Sequence, residues 1–223
     1  MKLKNYLSLT VLLIITTASH AQIFGAKAGL NLSTMLLKDN DGNYSDDFKK
    51  NPGFHVGVTG ELPLTEMFSV ETGVLLTTKG LKINQVVKTP LGVTTETKAT
   101  MNIFYLDIPF TGKAYFDVGS TKIYGVLGPY IGMGLSGKNK YEITEEGNTR
   151  TGENNISWGS GESDYKRLDF GLTAGSGVEI KSIQIGLSYS LGLANISNQS
   201  VNGSKFSNRI LGISVGYKFV QSH

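Results

Sequence analysis

The chain has 223 residues, no cysteine, 28 glycines against 5 prolines, a formal net charge of +3 and a mean hydropathy of −0.07. These values exclude a disulfide framework, a thiolate metal site and a lipid-modified cysteine. A helical membrane protein is excluded as well, because no long apolar run follows the N-terminal one.

Lys2 and Lys4 precede an apolar run over 6–17, and Ser19-His20-Ala21 sets small residues at the two positions that signal peptidase reads. The pattern predicts a cleavable signal peptide over 1–21, cleavage before Gln22, and one domain over 22–223. An uncleaved anchor needs about 20 apolar residues, more than this run supplies. Loss of the two leader lysines takes the charge from +3 to +1, so the pI of 8.9 overstates how basic the mature chain is, and nucleic acid is not an expected partner.

Eight segments then alternate apolar with small or polar residues, the period of two of a strand whose faces meet different surroundings. The first, 23–33, sets Phe24, Ala26, Ala28, Leu30 and Leu32 against Gly25, Lys27, Gly29, Asn31 and Ser33. The second, 53–62, sets Phe54, Val56, Val58 and Leu62 against His55, Gly57, Thr59 and Glu61. The third, 67–83, sets Phe68, Val70, Val74 and Leu76 against Ser69, Glu71, Gly73 and Thr77. The fourth, 99–116, sets Phe104, Leu106, Ile108, Phe110, Ala114 and Phe116 against Tyr105, Asp107, Thr111, Lys113 and Tyr115.

The fifth, 121–136, places Ile123, Leu127, Ile131, Met133 and Leu135 outward and Lys122, Tyr124, Tyr130, Gly132 and Gly134 inward. The sixth, 167–180, carries Leu168, Phe170, Leu172 and Val178 against Asp169, Thr173, Gly175 and Glu179, with Arg167 at its start. The seventh, 183–194, alternates Ile183, Ile185, Leu187, Tyr189, Leu191 and Leu193 with Gln184, Gly186, Ser188, Ser190, Gly192 and Ala194. The eighth, 207–219, alternates Leu211, Ile213, Val215, Tyr217 and Phe219 with Gly212, Ser214, Gly216 and Lys218.

Only a helix or a closed barrel satisfies its backbone in lipid. The predicted fold is therefore all-β, an eight-stranded antiparallel up-and-down transmembrane barrel with an apolar wall outside and a polar interior. Long connections follow the first, third, fifth and seventh segments and short turns follow the others, so the long loops gather at one end, which in such barrels is the extracellular one. Phe24, Phe68, Phe116 and Phe219 fall at the short-turn end of outward faces and Phe54, Phe104 and Phe170 towards the other, as two interfacial aromatic belts. A soluble barrel with a greasy pocket requires the opposite polarity.

The interior is expected to hold Lys27, Lys113, Lys122, Arg167 and Lys218 with Glu61, Glu71, Asp107, Asp169 and Glu179. Eight strands enclose a space that side chains just fill, so these charges should pair and plug the lumen. Catalysis lacks a constellation. His20 belongs to the leader and His223 to the tail, which leaves His55 alone on an inward face with no marked nucleophile. Asp39-Asn40-Asp41-Gly42-Asn43 resembles the start of a calcium loop, but its glycine comes too early and Lys50 stands where the closing glutamate belongs, so a solvated acidic turn is the default. The stretch 137–166, with the sole tryptophan Trp158, is expected to be a long loop, mobile or partner-facing.

Gly25-Ala26-Lys27-Ala28-Gly29-Leu30-Asn31, Tyr105-Leu106-Asp107-Ile108-Pro109-Phe110, Gly128-Pro129-Tyr130, Asp169-Phe170-Gly171-Leu172 and Val215-Gly216-Tyr217-Lys218-Phe219 together resemble the PorT-like outer-membrane β-barrel proteins of Bacteroidetes, relatives in architecture of the OmpA and OmpX types. The resemblance implies an outer-membrane location in a Gram-negative cell and insertion by the barrel-assembly machinery, which reads a last strand ending on an aromatic. It implies no enzymatic activity and no cofactor. The expected role is an envelope scaffold or accessory in secretion or surface interaction, with outer-membrane lipid and envelope or secretion proteins as partners. The alternatives are a narrow pore for small solutes and a lipid-modifying enzyme using His55.

Overall fold

A computed structural model describes residues 22–38, 40, 42, 48–88, 93–161, 164–198 and 204–219. The leader expected over 1–21, most of the acidic stretch 39–47 and the tail 220–223 lie outside the described residues. Ten strands form in chain order: β1 Ile23–Lys38, β2 Phe48–Lys49, β3 Asn51–Pro63, β4 Phe68–Lys88, β5 Thr94–Val118, β6 Thr121–Glu145, β7 Asn148–Asn155, β8 Leu168–Ile180, β9 Ile183–Gly192 and β10 Lys205–Phe219. Every strand pair is antiparallel. Eight of the strands (β1, β3, β4, β5, β6, β8, β9 and β10) form a ring, closed where β1 pairs with β10 from Phe24 opposite Phe219 to Lys38 opposite Lys205. Closure leaves no free edge in the wall, which is what lipid demands of a sheet.

The alternation works as the sequence predicts over the lower two thirds of this wall. Ile213 stands opposite Leu30 on one neighbour and Leu187 on the other, and all three point outward with half or more of their surface open. Between them the even positions of β9 turn inward, Gln184 being 4% exposed. The seven expected belt phenylalanines all lie on the outer face. Phe24 is opposite Phe219 and Phe116 opposite Ile123 at the short-turn end, while the Phe54 and Phe104 rings meet edge to face, 6.3 Å between centroids, at the other. Phe104 and Phe116 are twelve residues apart on β5, which at about 3.3 Å per residue and a tilt near 40° puts the belts roughly 30 Å apart. That is the thickness of a bilayer's hydrocarbon core.

Above the Phe54 and Phe104 level the structure departs from two expectations. The stretch 137–166 is not simply a loop: β6 continues to Glu145, turns at Glu146 and Gly147 (φ 50° and 81°) and returns as β7. Two successive positive φ angles make the tight turn whose twist matches paired strands. With the upper parts of β4 and β5, this hairpin builds a four-stranded arm standing beyond the barrel.

The interior also changes character. Met35, Leu81, Met101, Ile103, Tyr105, Ala194 and Ile196 cluster inside the mouth with Trp158, Tyr165 and Phe206 against them, where a polar lumen is expected. Outside, at the same level, sit Asn102, Thr100 and Lys98. Beyond the bilayer the outer face meets water, so the wall needs no apolar exterior there and the mouth is free to carry an apolar core.

Candidate functional site

The inner wall brings eight of the ten expected interior charges into two layers. In the lower layer Lys113 Nζ lies 2.8 Å from Glu71 Oε2 and 3.4 Å from Glu61 Oε2, and Lys27 pairs with Glu71 from the other side. Lys218 Nζ lies 3.0 Å from Glu61 Oε2 and 2.8 Å from Glu179 Oε2. Three lysines thus face three glutamates, and the layer is neutral. Neutral donors complete it: Tyr115 Oη donates to Glu61 Oε1 (2.6 Å), Ser69 Oγ to the same oxygen (2.9 Å) and Gln184 Nε2 to Glu179 Oε2 (2.6 Å). The Lys113 ammonium also lies 4.4 Å from the centre of the Tyr124 ring. Buried charges cost several kcal/mol each unless paired and fully hydrogen-bonded, and this layer meets both conditions.

The upper layer centres on a residue that sequence reasoning left out. Lys79 is wholly buried, 2.8 Å from Asp107 Oδ1 and 2.9 Å from Asp169 Oδ2, between the faces of Tyr105 and Tyr130 at 4.5 and 4.6 Å. Asn208 Nδ2 and Tyr130 Oη donate to Asp169 Oδ2 at 2.9 and 3.2 Å. The signal for Lys79 was its spacing of two from Thr77, the last inward residue taken from that strand.

Two expected members stand elsewhere. Lys122 is at the short-turn rim, 3.8 Å from Asp117 with about half of its side chain in solvent, and Arg167 lies over the Trp158 ring at 5.7 Å, exposed at the mouth. Lys122 is the second residue of β6 and Arg167 directly precedes β8, where the alternation no longer has a wall behind it.

Between the layers lies a cavity of about 120 Å³, lined by Lys27, Asn31, His55, Glu71, Thr77 and Asp107 among others. It is polar and roomy enough for several waters. His55 Nδ1 is 2.7 Å from Asn31 Oδ1. The Asn31 amide nitrogen donates to the Phe54 carbonyl at 3.0 Å, which fixes Oδ1 as the acceptor and puts the imidazole proton on Nδ1. His55 turns Nε2 away from Asn31, against Gly29. Its orienting partner is an amide rather than a carboxylate. No hydroxyl hydrogen-bonds it among the described residues, and the set needed to activate a nucleophile is not assembled there.

The mouth is shut from above. Trp158 bridges to Tyr165 and Tyr165 to Ser197, while Lys166 N donates to the Ile196 carbonyl at 2.8 Å and Ile196 N to that of Phe206 at 2.9 Å. The connections after β7 and β9 are thereby sewn to each other and to β10 across the apolar cluster. Trp158 meets Tyr105 edge to face at 6.3 Å and lies flat enough on Gly134 that a Cβ there would fall 2.2 Å from the indole. Burial raises the Tyr165 phenol above its ordinary range.

A family model described as "Outer membrane protein beta-barrel domain" matches residues 19–198. Among solved structures the chain is similar to Ail, the attachment invasion locus protein of Yersinia pestis, at 13% identity over 88% of this chain and 98% of that one, with a TM-score of 0.35. It is similar also to neisserial surface protein A, at 15% identity over 88% of this chain and 97% of the other, with a TM-score of 0.39. No match is found among curated proteins.

Proposed function

The chain belongs to the outer membrane protein β-barrel domain family, and from that premise we propose that it is a sealed, non-enzymatic envelope scaffold that acts by presenting its arm and mouth to other molecules. The observation that carries this reading is the pair of closures in series: a neutral ion-pair layer below the cavity and an apolar cluster above it. An eight-stranded barrel has little room to spare, and each closure sets packed side chains across that room. The arm stands four strands clear of the bilayer, where their faces can meet other molecules.

The finer parts of the reading follow the residues. Export by a leader over 1–21 and insertion by the barrel-assembly machinery fit the Lys2 and Lys4 pattern and the Phe219 ending. A place in the PorT-like branch, with a role in secretion or surface interaction beside envelope or secretion proteins, rests on the sequence resemblance alone. The arm end is assigned to the cell exterior, because long connections in such barrels lie there.

Planar-bilayer recording tests the sealed scaffold: the folded protein is expected to pass no current, and steady single-channel steps would overturn it in favour of a narrow pore through the central cavity. Orientation is tested on a chain that has no cysteine of its own. A membrane-impermeant maleimide should label Gly147→Cys and spare Ser120→Cys on intact cells. Replacing His55 with alanine should leave envelope lipid composition unchanged, and an altered acyl pattern would revive the enzyme reading.

A further inference from the structure

Just above the outer aromatic belt, strand register lines basic residues into a band. Lys49 on β2 stands opposite Lys82 on β4, Lys82 opposite Thr100 on β5, Thr100 opposite Lys140 on β6 and Lys140 opposite Glu153 on β7. The next row towards the bilayer runs Gly80, Asn102, Lys138, Asn155, and the one below it Thr78, Phe104, Ser136. All three rows face outward: Phe48, next to Lys49, packs inward on the apolar cluster, and Phe104 meets Phe54 on the outer wall.

The band holds four lysines and one carboxylate. Lys138 pairs with Glu153, and Lys140 shares the same carboxylate at 3.0 Å. Among the described residues Lys49 and Lys82 have no carboxylate partner, and like charges directly opposite in an antiparallel pair oppose the pairing. A bound anion relieves that arrangement. Beneath the band lies a groove of about 700 Å³, whose floor is Phe54, Phe104 and Leu135 and whose upper wall is Asn102, Lys138 and Lys140. An apolar floor at membrane depth under a cationic rim at headgroup depth fits an amphiphile, with its chains below and its anionic group above.

We propose that this groove and band form a binding site for a phosphorylated lipid of the leaflet the arm faces, acyl chain against Phe54, Phe104 and Leu135 and headgroup phosphate among Lys49, Lys82, Lys138 and Lys140. The name of the leaflet rests on the orientation proposed above, but the site itself does not. Its test is accordingly done on folded protein in detergent, where orientation has no meaning.

Native mass spectrometry of that protein titrated with lipid A, phosphorylated or dephosphorylated, reads the retained lipid directly. The phosphorylated form is expected to half-saturate at about tenfold lower concentration, in line with a few lysines acting at a headgroup. A variant with Lys49, Lys82, Lys138 and Lys140 all changed to Gln should lose that preference, whereas Lys122→Gln, at the opposite rim, should keep it. Glu153→Gln, which releases Lys138 and Lys140 from their shared carboxylate, should tighten binding.

Equal retention of the two lipids by the unmodified protein overturns the proposal whether or not the variants fold. So does an unchanged preference in the quadruple variant, weaker binding by Glu153→Gln, or adducts of inorganic phosphate alone at the concentration at which the lipid binds, which would make the band a plain anion site.

Discussion

Lys79 and Asp169 meet at 2.9 Å with neither side chain exposing any surface to solvent. One comes from β4 and the other from β8, so the contact spans the lumen and ties opposite walls together. Asp107, at 2.8 Å from the same ammonium, makes it a triad of one lysine and two aspartates. Removing the lysine leaves two carboxylates facing each other beneath an apolar lid. Breaking one partner out of a buried ionic set costs about 3–5 kcal/mol, and Lys79→Met is expected to lose that much in urea unfolding from lipid vesicles. Adding Asp107→Asn and Asp169→Asn to the same chain should recover most of it, since the penalty lies in unpaired charge rather than in lost contact. A triple variant no more stable than Lys79→Met would show the loss to be one of packing.

The two closures predict a non-additive conductance. Lys113→Ala with Glu71→Ala opens the lower layer but leaves the apolar mouth intact, while Trp158→Ala opens the mouth and leaves the ion pairs in place. Each should remain silent in planar bilayers, and current is expected only when both are combined with Lys79→Ala, Asp107→Ala and Asp169→Ala, because the buried triad also crosses the lumen between the cavity and the mouth. Current through a chain in which any of these closures is intact would mean that that closure is not a barrier.

How far the sequence alone reaches can be read from three residues. Leu187 lies in an unbroken alternation over 183–194, flanked by strands of the same period, and the wall it belongs to was legible in full. Lys79 obeys the same alternation but follows Thr77 into a run, Thr77 to Leu81, that is buried at every position. The two faces cease to differ there because the outer one is covered too, Thr78 exchanging hydrogen bonds with Phe54 across the strands. Ile143 sits in the arm, whose strands alternate polar residues with one another. Hydropathy is blind to such strands, and only Glu146-Gly147, a tight-turn pair, marked the hairpin. The apolar mouth was hidden for a related reason: Met35, Leu81, Met101 and Ile103 keep the inward parity of the polar positions below them, and nothing in the period of two says at which residue the bilayer ends.

Gly134 is where the sole tryptophan lands. A methyl group there would fall 2.2 Å from the indole, and Trp158 is held between this glycine and Tyr105, so it can yield only towards solvent. Gly134→Ala should displace the ring towards water, shifting the emission maximum to longer wavelength, and cost about 1–3 kcal/mol as overpacking does. Gly112→Ala, whose added carbon meets only an ordinary contact at 3.7 Å from the Leu127 carbonyl, serves as the comparison and should leave the emission unchanged. An unmoved spectrum in Gly134→Ala would mean that the indole does not rest on β6.

The arm should loosen in acid through Glu153. Hydrogen bonds from Lys138 and Lys140 hold its carboxyl below the usual glutamate value of 4.5, so the ionised form is favoured when β6 and β7 are paired. A group lowered on folding contributes its stabilisation fully above the ordinary value and loses it as pH falls through the lowered one. The protection factors of amides across the β6 and β7 pairing, exchange corrected for its intrinsic pH dependence, should therefore be level from neutral pH down to about 5 and fall below about 4. In Glu153→Gln the same amides should exchange faster at neutral pH and show a smaller acid-dependent step. Because the pair is exposed, the effect belongs to the arm and not to the barrel, whose protection between β9 and β10 should stay flat over that range. An acid step of equal size in both chains would assign it to the other carboxylates of the arm, Glu145 and Glu146 at the hairpin turn or Glu96 and Glu142, which meet at Lys98.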